Sequence, residues 1–249
     1  MEQWKNRVAV ITGASSGIGA AIAKDLVKAG MITIGIARRV DRIEDLKKDL
    51  SVDLQGNLHA IKCDITNEAE ILKCFVQIEN QFNGIDVLIN SAGIFPSVFL
   101  TQENNSAVIR EVIDINILGA VFCTREAFKS MSKHGRNSHV IHINSVFGHL
   151  QPRFNAYSGE GIYYLSKHAL RIINEVHRQE FIQSKHHIKV SSVSPGVVYT
   201  EMAVKRSGKH LSEMPYLLPE DVSQNVLHVL GTPPHVQIHE LIIKPFGEE

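Results

Sequence analysis

Two hydrophobic periods alternate along this chain. Short apolar runs rich in β-branched residues, Val8–Thr12, Met31–Ala37, Leu58–Cys63, Ile85–Asn90, Ser138–Asn144, Ile188–Ser194 and Gln237–Ile243, read as strands. Between them, apolar residues recurring every three or four positions predict helices over Ala20–Ala29, Asp41–Leu50, Asn67–Phe82, Asn105–Ser132 and Ile162–Gln183, with another starting at Pro219. Gly30 stands where a helix end favours glycine, and Pro219 where a first turn tolerates proline. Repeated strand–helix units predict an α/β fold: a doubly wound parallel sheet flanked by helices on both faces. With no repeat, low-complexity tract or linker, residues 1–249 read as a single domain. Residues 201–218 break the rhythm. They follow a strand end, where open α/β sheets bind ligands, and are read as a substrate lid, with a plain surface loop as the alternative.

Composition narrows the function classes. Lys plus Arg and Asp plus Glu are both 26, a formal net charge of zero, which argues against a nucleic-acid partner held through phosphates. The 44% hydrophobic and 21% charged content is that of an ordinary globular protein. Cys63, Cys74 and Cys123 are odd in number and lack C-x-x-C spacing, which fits a reducing, cytoplasmic compartment better than a disulfide scaffold. No apolar stretch approaches the ~20 residues of a membrane span, and no secretory apolar region precedes Val8, so no membrane association is expected. The thirteen histidines lack carboxylate or cysteine partners at ligand spacing, so no metal site is expected; His139, His142, His186 and His187 read as solvated strand and loop residues.

A glycine-rich turn, Gly13-Ala14-Ser15-Ser16-Gly17-Ile18-Gly19, joins the first strand to the first helix. Such a turn lets backbone approach a ligand closely, and the helix behind it offers unpaired N–H groups and a positive dipole end to a pyrophosphate. Its spacing is not Gly-x-Gly-x-x-Gly, and a mere tight turn is the alternative. The second strand ends in Arg38-Arg39, with no carboxylate before Asp41 to bond a ribose hydroxyl. Two guanidinium groups there suit a 2′-phosphate, hence NADP rather than NAD, unless they are simply a solvated pair.

Tyr163 and Lys167 lie four apart on a predicted helix and share a face. An ammonium beside a phenol favours the phenolate, so Lys167 is expected to draw the tyrosine below its ordinary value near ~10 and fit it for proton transfer at a carbonyl or alcohol oxygen. Ser145 ends a strand at the carboxyl edge of the sheet, where its hydroxyl could hold that oxygen; a turn serine is the alternative. Asn116, between Ile115 and Ile117, reads either as anchor of a water relaying the proton to Lys167 or as a satisfied core amide.

Taken in order, the Thr12–Gly19 turn, Asp64, Asn90-Ser91-Ala92-Gly93, Asn116, Ser145, Tyr163/Lys167 and Pro195-Gly196 with Thr200 resemble the short-chain dehydrogenase/reductase family over essentially the whole chain. The resemblance implies a single Rossmann domain and reversible hydride transfer between NAD(P)(H) and an alcohol or carbonyl. It implies Tyr163 as acid/base and Ser145 as oxygen holder. Lys167 would tune the tyrosine and bind the nicotinamide ribose, and Asn116 would support the relay. Asp64 would meet the adenine, Asn90 to Gly93 the middle of the cofactor, and Val198 and Thr200 the nicotinamide carboxamide, with Ile65, Pro195 and Gly196 also cofactor-binding. It further implies a homodimer or homotetramer paired through the helices at Asn105–Ser132 and Ile162–Gln183.

A narrower similarity, in Trp4-Lys5-x-Arg7-Val8-Ala9-Val10, Ala37-Arg38-Arg39-Val40, Cys123-Thr124-Arg125-Glu126-Ala127-Phe128 and His142-Ile143-Asn144-Ser145, is to the NADP-dependent farnesol dehydrogenase group of insects, itself similar to vertebrate enzymes acting on steroids and other carbonyls. Phe95, Phe147, Tyr199 and Met202, with Pro96, Leu150 and Phe154, would suit an apolar alcohol or carbonyl, or could be loop anchors. A cofactor-binding module without turnover is the competing reading. Ser91 replaces the family's usual second asparagine, and the stretch from Ser145 to Tyr163 is longer than usual, predicting a bulging loop over Gly148–Gly161 above the pocket.

Overall fold

A computed structural model describes residues 1–150 and 159–248. The strands are β1 Val8–Thr12, β2 Ile32–Ala37, β3 Leu58–Lys62, β4 Val87–Asn90, β5 Ser138–Ile143, β6 Ile188–Pro195 and β7 Glu240–Ile243. They form one seven-stranded sheet of order β3-β2-β1-β4-β5-β6-β7, parallel at every pairing. The helices are α1 Gly17–Lys28, α2 Val40–Asp45, α3 Glu68–Phe82, α4 Ser106–Ile113, α5 Ala120–His134, α6 Gly161–Gln183, α7 Glu201–Ser207 and α8 Pro219–Leu230. Strand order reverses between β1 and β4, so a crevice opens there at the carboxyl ends.

Side-chain alternation explains the two-faced core. Ala9, Ile11, Val87, Ile89, Ile141, Ile143 and Val193 pack against α1 and α8, in a cluster with Ile22, Leu26, Val222 and Val226. Their neighbours Val8, Val10, Leu88, Val140 and Val190 point the other way, to Cys74, Phe75, Ala127, Met131 and Phe181 of α3, α5 and α6. Burial on both faces is why these strands read as apolar runs rather than alternations.

Three stretches depart from the expected elements. The predicted helix Asn105–Ser132 is broken by a wide π turn, Asp114–Gly119, joining α4 to α5. The predicted helix Asp41–Leu50 tightens after Asp45 into a 3₁₀ turn, Leu46–Asp49, where Lys47 and Lys48 pair with Glu44 and Asp45 three residues back. Residues 201–218 hold α7 and a 3₁₀ turn, Gly208–Glu213. Of the loop expected over Gly148–Gly161, residues 151–158 lie outside those described; at its far end the Val98 amide donates to the Gly159 carbonyl at 2.8 Å. Among the described residues, no helix is long and apolar enough to cross a membrane, and no three His, Cys, Asp or Glu side chains cluster as a metal site would need.

The histidines of β5 correct one expectation. His139 and His142 are fully buried, not solvated. On one face His139 Nε2 lies 2.8 Å from Ser191 Oγ; on the other, His142 lies 3.3 Å from both the Asn90 amide and His177 Nδ1. Burial pushes His139 down to about 3 and His177 to about 4, and holds His142 well below 6.5. Above pH 6.5 these rings are neutral folded or unfolded. As pH falls below that value the unfolded chain binds protons that the folded chain refuses, so stability declines. The depressed carboxylates, Glu79 at about 2 among them, add to this only below 4.5. The melting temperature should therefore already fall between about pH 6.5 and 4.5, and His139→Gln should reduce that fall; a midpoint flat across this window would contradict the assignment.

Candidate active site

The turn after β1 is shaped by contacts that exclude side chains. Gly13 has φ +71°, and a Cβ there would stand 2.8 Å from Ala92 Cα; a Cβ on Gly19 would stand 2.5 Å from the Gly13 carbonyl oxygen. Only glycine allows the β1–α1 turn, the β4 loop and the first turn of α1 to close this tightly. Thr12 pins the arrangement: its buried Oγ1 accepts the Ser91 and Ala92 amides, both at 3.0 Å. Ser16 precedes α1 in extended conformation, and its side chain makes no cap bond, leaving the helix N-terminus to face a cavity of about 220 Å³.

That cavity brings together the expected Gly13, Ser15, Ser16, Gly17, Ile18, Gly19, Arg38, Arg39, Asp64, Ile65, Ala92, Gly93 and Thr200. Arg38 and Arg39 are exposed at its rim, and Arg39 Nη2 reaches Ser15 and Ser16 Oγ at 3.5 Å. Asp64 is folded into a local turn, accepting from the Thr66 amide and hydroxyl at 3.0 and 2.9 Å. Asn90 does not reach the cavity. It shares the face of Leu88, and its amide donates to Thr124 Oγ1 at 2.9 Å beneath the sheet.

A second cavity, of about 470 Å³, opens off the first, sharing Ile18, Ser91, Gly93, Thr200 and Met202. Ser145, Tyr163, Lys167, Pro195, Gly196 and Val198 line it. Ser145 and Tyr163 face the same space, and the Ser145 hydroxyl lies near enough to the phenol to favour its ionised form. Ser145 Oγ also accepts the Phe147 amide at 3.1 Å, which fixes its direction.

The expected tuning of Tyr163 by Lys167 is not what the geometry gives. Burial pushes the phenol up to about 12, although the nearby Ser145 hydroxyl favours the phenolate. Lys167 Nζ lies 5.6 Å from the tyrosine ring centroid and donates to the Ile143 carbonyl at 2.9 Å; burial lowers it to about 8. In a site this dry, desolvation outweighs the attraction between them.

Asn116 sits in the π turn and is fully engaged. Its Oδ1 accepts the Ile94 amide at 2.9 Å, and its Nδ2 donates to the Ile94 carbonyl and to Ser166 Oγ, both at 3.0 Å. Ser166 in turn donates to the Tyr163 carbonyl at 2.8 Å. The side chain therefore clamps the β4 loop to the tyrosine helix; none of these bonds leads to Lys167. π turns often mark functional sites, but side-chain periodicity does not disclose one.

Of the apolar candidates, Phe95, Phe147 and Met202 line the second cavity. Phe95 stacks on Tyr163, centroids 4.0 Å apart. Tyr199 turns outward to pair with Tyr216 at 5.0 Å; Pro96 and Leu150 do not line the cavity, and Phe154 lies outside the described residues. Sequence reasoning missed Glu160, Arg206, Leu211, Met214 and Glu248, which also line it. Glu160 falls in the loop expected over Gly148–Gly161 and Arg206, Leu211 and Met214 in the expected lid, but no local motif marks any of them individually, and Glu248 arrives from the segment after β7.

Comparison with known proteins agrees with this geometry. The family model for short chain dehydrogenase matches residues 7–210. Farnesol dehydrogenase of Aedes aegypti is 47% identical over 252 residues, covering 100% of both chains. Dehydrogenase/reductase SDR family member 11 of Mus musculus is 37% identical over 254 residues, covering 98% of this chain and 96% of that one. Among solved structures, an alcohol dehydrogenase from the archaeon Thermococcus sibiricus complexed with 5-hydroxy-NADP superposes with a TM-score of 0.85 at 25% identity, covering 98% of each chain.

The contact between Thr12 and the β4 loop can be tested directly. Thr12→Val keeps the shape but strands two amides, and should cost about 1–3 kcal/mol, read as a lower urea midpoint at unchanged slope. An unchanged midpoint would show that Thr12 does not hold the crevice.

Proposed function

This chain belongs to the short-chain dehydrogenase family, and we propose that within it the protein is an NADP(H)-dependent dehydrogenase/reductase of apolar alcohols and carbonyls, with farnesol and farnesal as the first pair to examine. The observation that carries this reading is the convergence of Ser145, Tyr163 and Lys167 on one mainly apolar cavity that opens into the glycine cradle. The 47% identity to a farnesol dehydrogenase and the phenylalanines beside Tyr163 support the substrate class.

The cradle fits a dinucleotide. Gly13 and Gly19 keep it free of side chains, the α1 N-terminus offers N–H groups to the pyrophosphate, and Arg38 and Arg39 stand where a 2′-phosphate would extend. When bound, the nicotinamide supplies or receives the hydride. Ser145 holds the substrate oxygen by its hydroxyl. Tyr163, with a pKa near 12, is protonated at neutral pH and so is ready as an acid for a carbonyl oxygen. Lys167, protonated below about 8, places a positive charge beside the phenolate left after that donation and stabilises it. Asn116 keeps the Tyr163 helix in register with the β4 loop. Residues 201–218 act as the lid.

We further assign the protein to a reducing, cytoplasmic setting, in keeping with three buried thiols, Cys63, Cys74 and Cys123. A homo-oligomer is supported by the apolar Leu165, Ile172 and Val176, exposed on α6.

Two measurements test the reading. In an assay pairing NADP with farnesol, other isoprenoids, steroids and short aliphatic alcohols, Tyr163→Phe should lower turnover by about 10²–10⁴-fold. A signal surviving in that variant would belong to other chemistry, and no turnover across the panel would favour a binding module. Arg38→Ala should weaken NADPH by about 10- to 100-fold while leaving NADH nearly unaffected; equal losses would remove the phosphate assignment.

A further inference from the structure

α7 is clasped at both ends. At its start the Glu201 carboxylate receives Arg42 Nη1 at 2.8 and 3.0 Å, a pair largely in solvent. At its other end Arg206 is ion-paired with Glu160, three residues before Tyr163 in the chain. The inner pair is mostly buried, with side chains 19% and 11% exposed, so it is far less screened than the outer one. The Arg206 guanidinium also lies 5.5 Å from the centroid of the Phe95 ring, the ring stacked on Tyr163 at 24° between planes. A continuous line of contact therefore runs from α7 through Arg206 and Phe95 to the phenol.

We propose that Arg206 is a positioning residue for Tyr163: by fastening α7 to Glu160 and packing on Phe95, it holds that ring against the phenol and keeps water out. The proposal deepens the reading of Tyr163 as acid/base and rests on it. Among the described residues, few polar or titratable groups face the phenol. Lys167 comes from its own helix and Ser145 from the turn after β5. Glu160, Arg206 and Glu248 line the same cavity from the start of α6, from α7 and from the segment after β7. Desolvation is the largest cause of the raised phenol pKa, so opening the clasp acts on the dominant cause.

The test uses the double variant Glu160→Gln/Arg206→Met, which removes the clasp without leaving either charge unpaired. Tyr163 ionisation is read from phenolate absorbance, as the difference from the same protein carrying Tyr163→Phe. The phenol should titrate about one to two pH units lower than in the parent, moving toward its ordinary value. In assays, kcat should fall about tenfold while NADPH affinity stays within about twofold. Arg206→Lys, which keeps the cation, should restore the parent's titration and most of its kcat. A phenol titration unmoved in the double variant would overturn the proposal. So would a joint loss of kcat, cofactor affinity and melting temperature that Arg206→Lys does not rescue. Turnover surviving in Tyr163→Phe would instead overturn the acid/base reading, and the absorbance titration separates the two because it needs no turnover.

Discussion

The site depends on one close approach of backbone to backbone. Between β1 and β4 the order of strands reverses, and the loops leaving the two strands diverge to opposite faces unless something binds them. Here Gly13 lies against Ala92 with no room for a Cβ, and the Thr12 hydroxyl collects the two amides at the start of the β4 loop. Asn116 takes over where Thr12 stops. It closes both polar groups of Ile94 and reaches across to Ser166, one helical turn after Tyr163. Three polar side chains thus connect the glycine turn, the loop carrying Phe95 and the helix carrying Tyr163 and Lys167. The two cavities are continuous because these three pieces are held in one geometry.

Holding them so tightly makes the site dry, and dryness sets its electrostatics. A tyrosine and a lysine four apart on a solvated helix would interact chiefly by charge. Buried together, each is pushed toward its neutral form, the phenol upward and the ammonium downward. Lys167 keeps its charge near neutral pH with help from the Ile143 carbonyl, at the end of β5 just before Ser145. The same preference for neutral groups runs behind the site, where His142 lies between the Asn90 amide and His177, and burial holds both rings uncharged. Asn90 belongs to this network under the sheet rather than to the crevice above it.

How much of this could be read from the chain follows from the range of each interaction. Strand and helix positions were legible because alternation and helical periodicity are local, and so were the glycine turn, Ser145 and the Tyr163/Lys167 pair. The side on which Asn90 falls was also within reach, since strand period places it with Leu88 and away from Ile89. The π turn at Asn116 was not, because it is a change in backbone pairing that leaves the apolar pattern intact. Nor were the buried histidines, whose partners Ser191 and His177 lie on other elements. Tyr199 illustrates the same limit: its partner Tyr216 comes from a segment with no periodic signature.

Those aperiodic segments are where specificity has to reside in this fold. The strands and main helices are occupied with covering the sheet, and their inward residues answer to the core. What lines the second cavity beside Ser145 and Tyr163 comes from the β4 loop, the turn after β5, the segment after β6, α7 and the turn after it, and Glu248, whose carboxylate accepts the Val197 amide at 3.0 Å. The zero net charge of the chain conceals how unevenly these pieces are charged. Arg38, Arg39 and Arg42 gather at the far end of the first cavity with Glu201 against them, whereas Glu160, Glu248, Arg206 and Lys167 all line the second. In water such pairings would be worth little. In the second cavity they sit among apolar walls, where an unmatched charge is costly, so a substrate bound there as proposed is favoured when it leaves the Glu160–Arg206 pair intact rather than competing for either partner. On the proposed function, an apolar body with a single oxygen meets that requirement, and an acid or an amine does not.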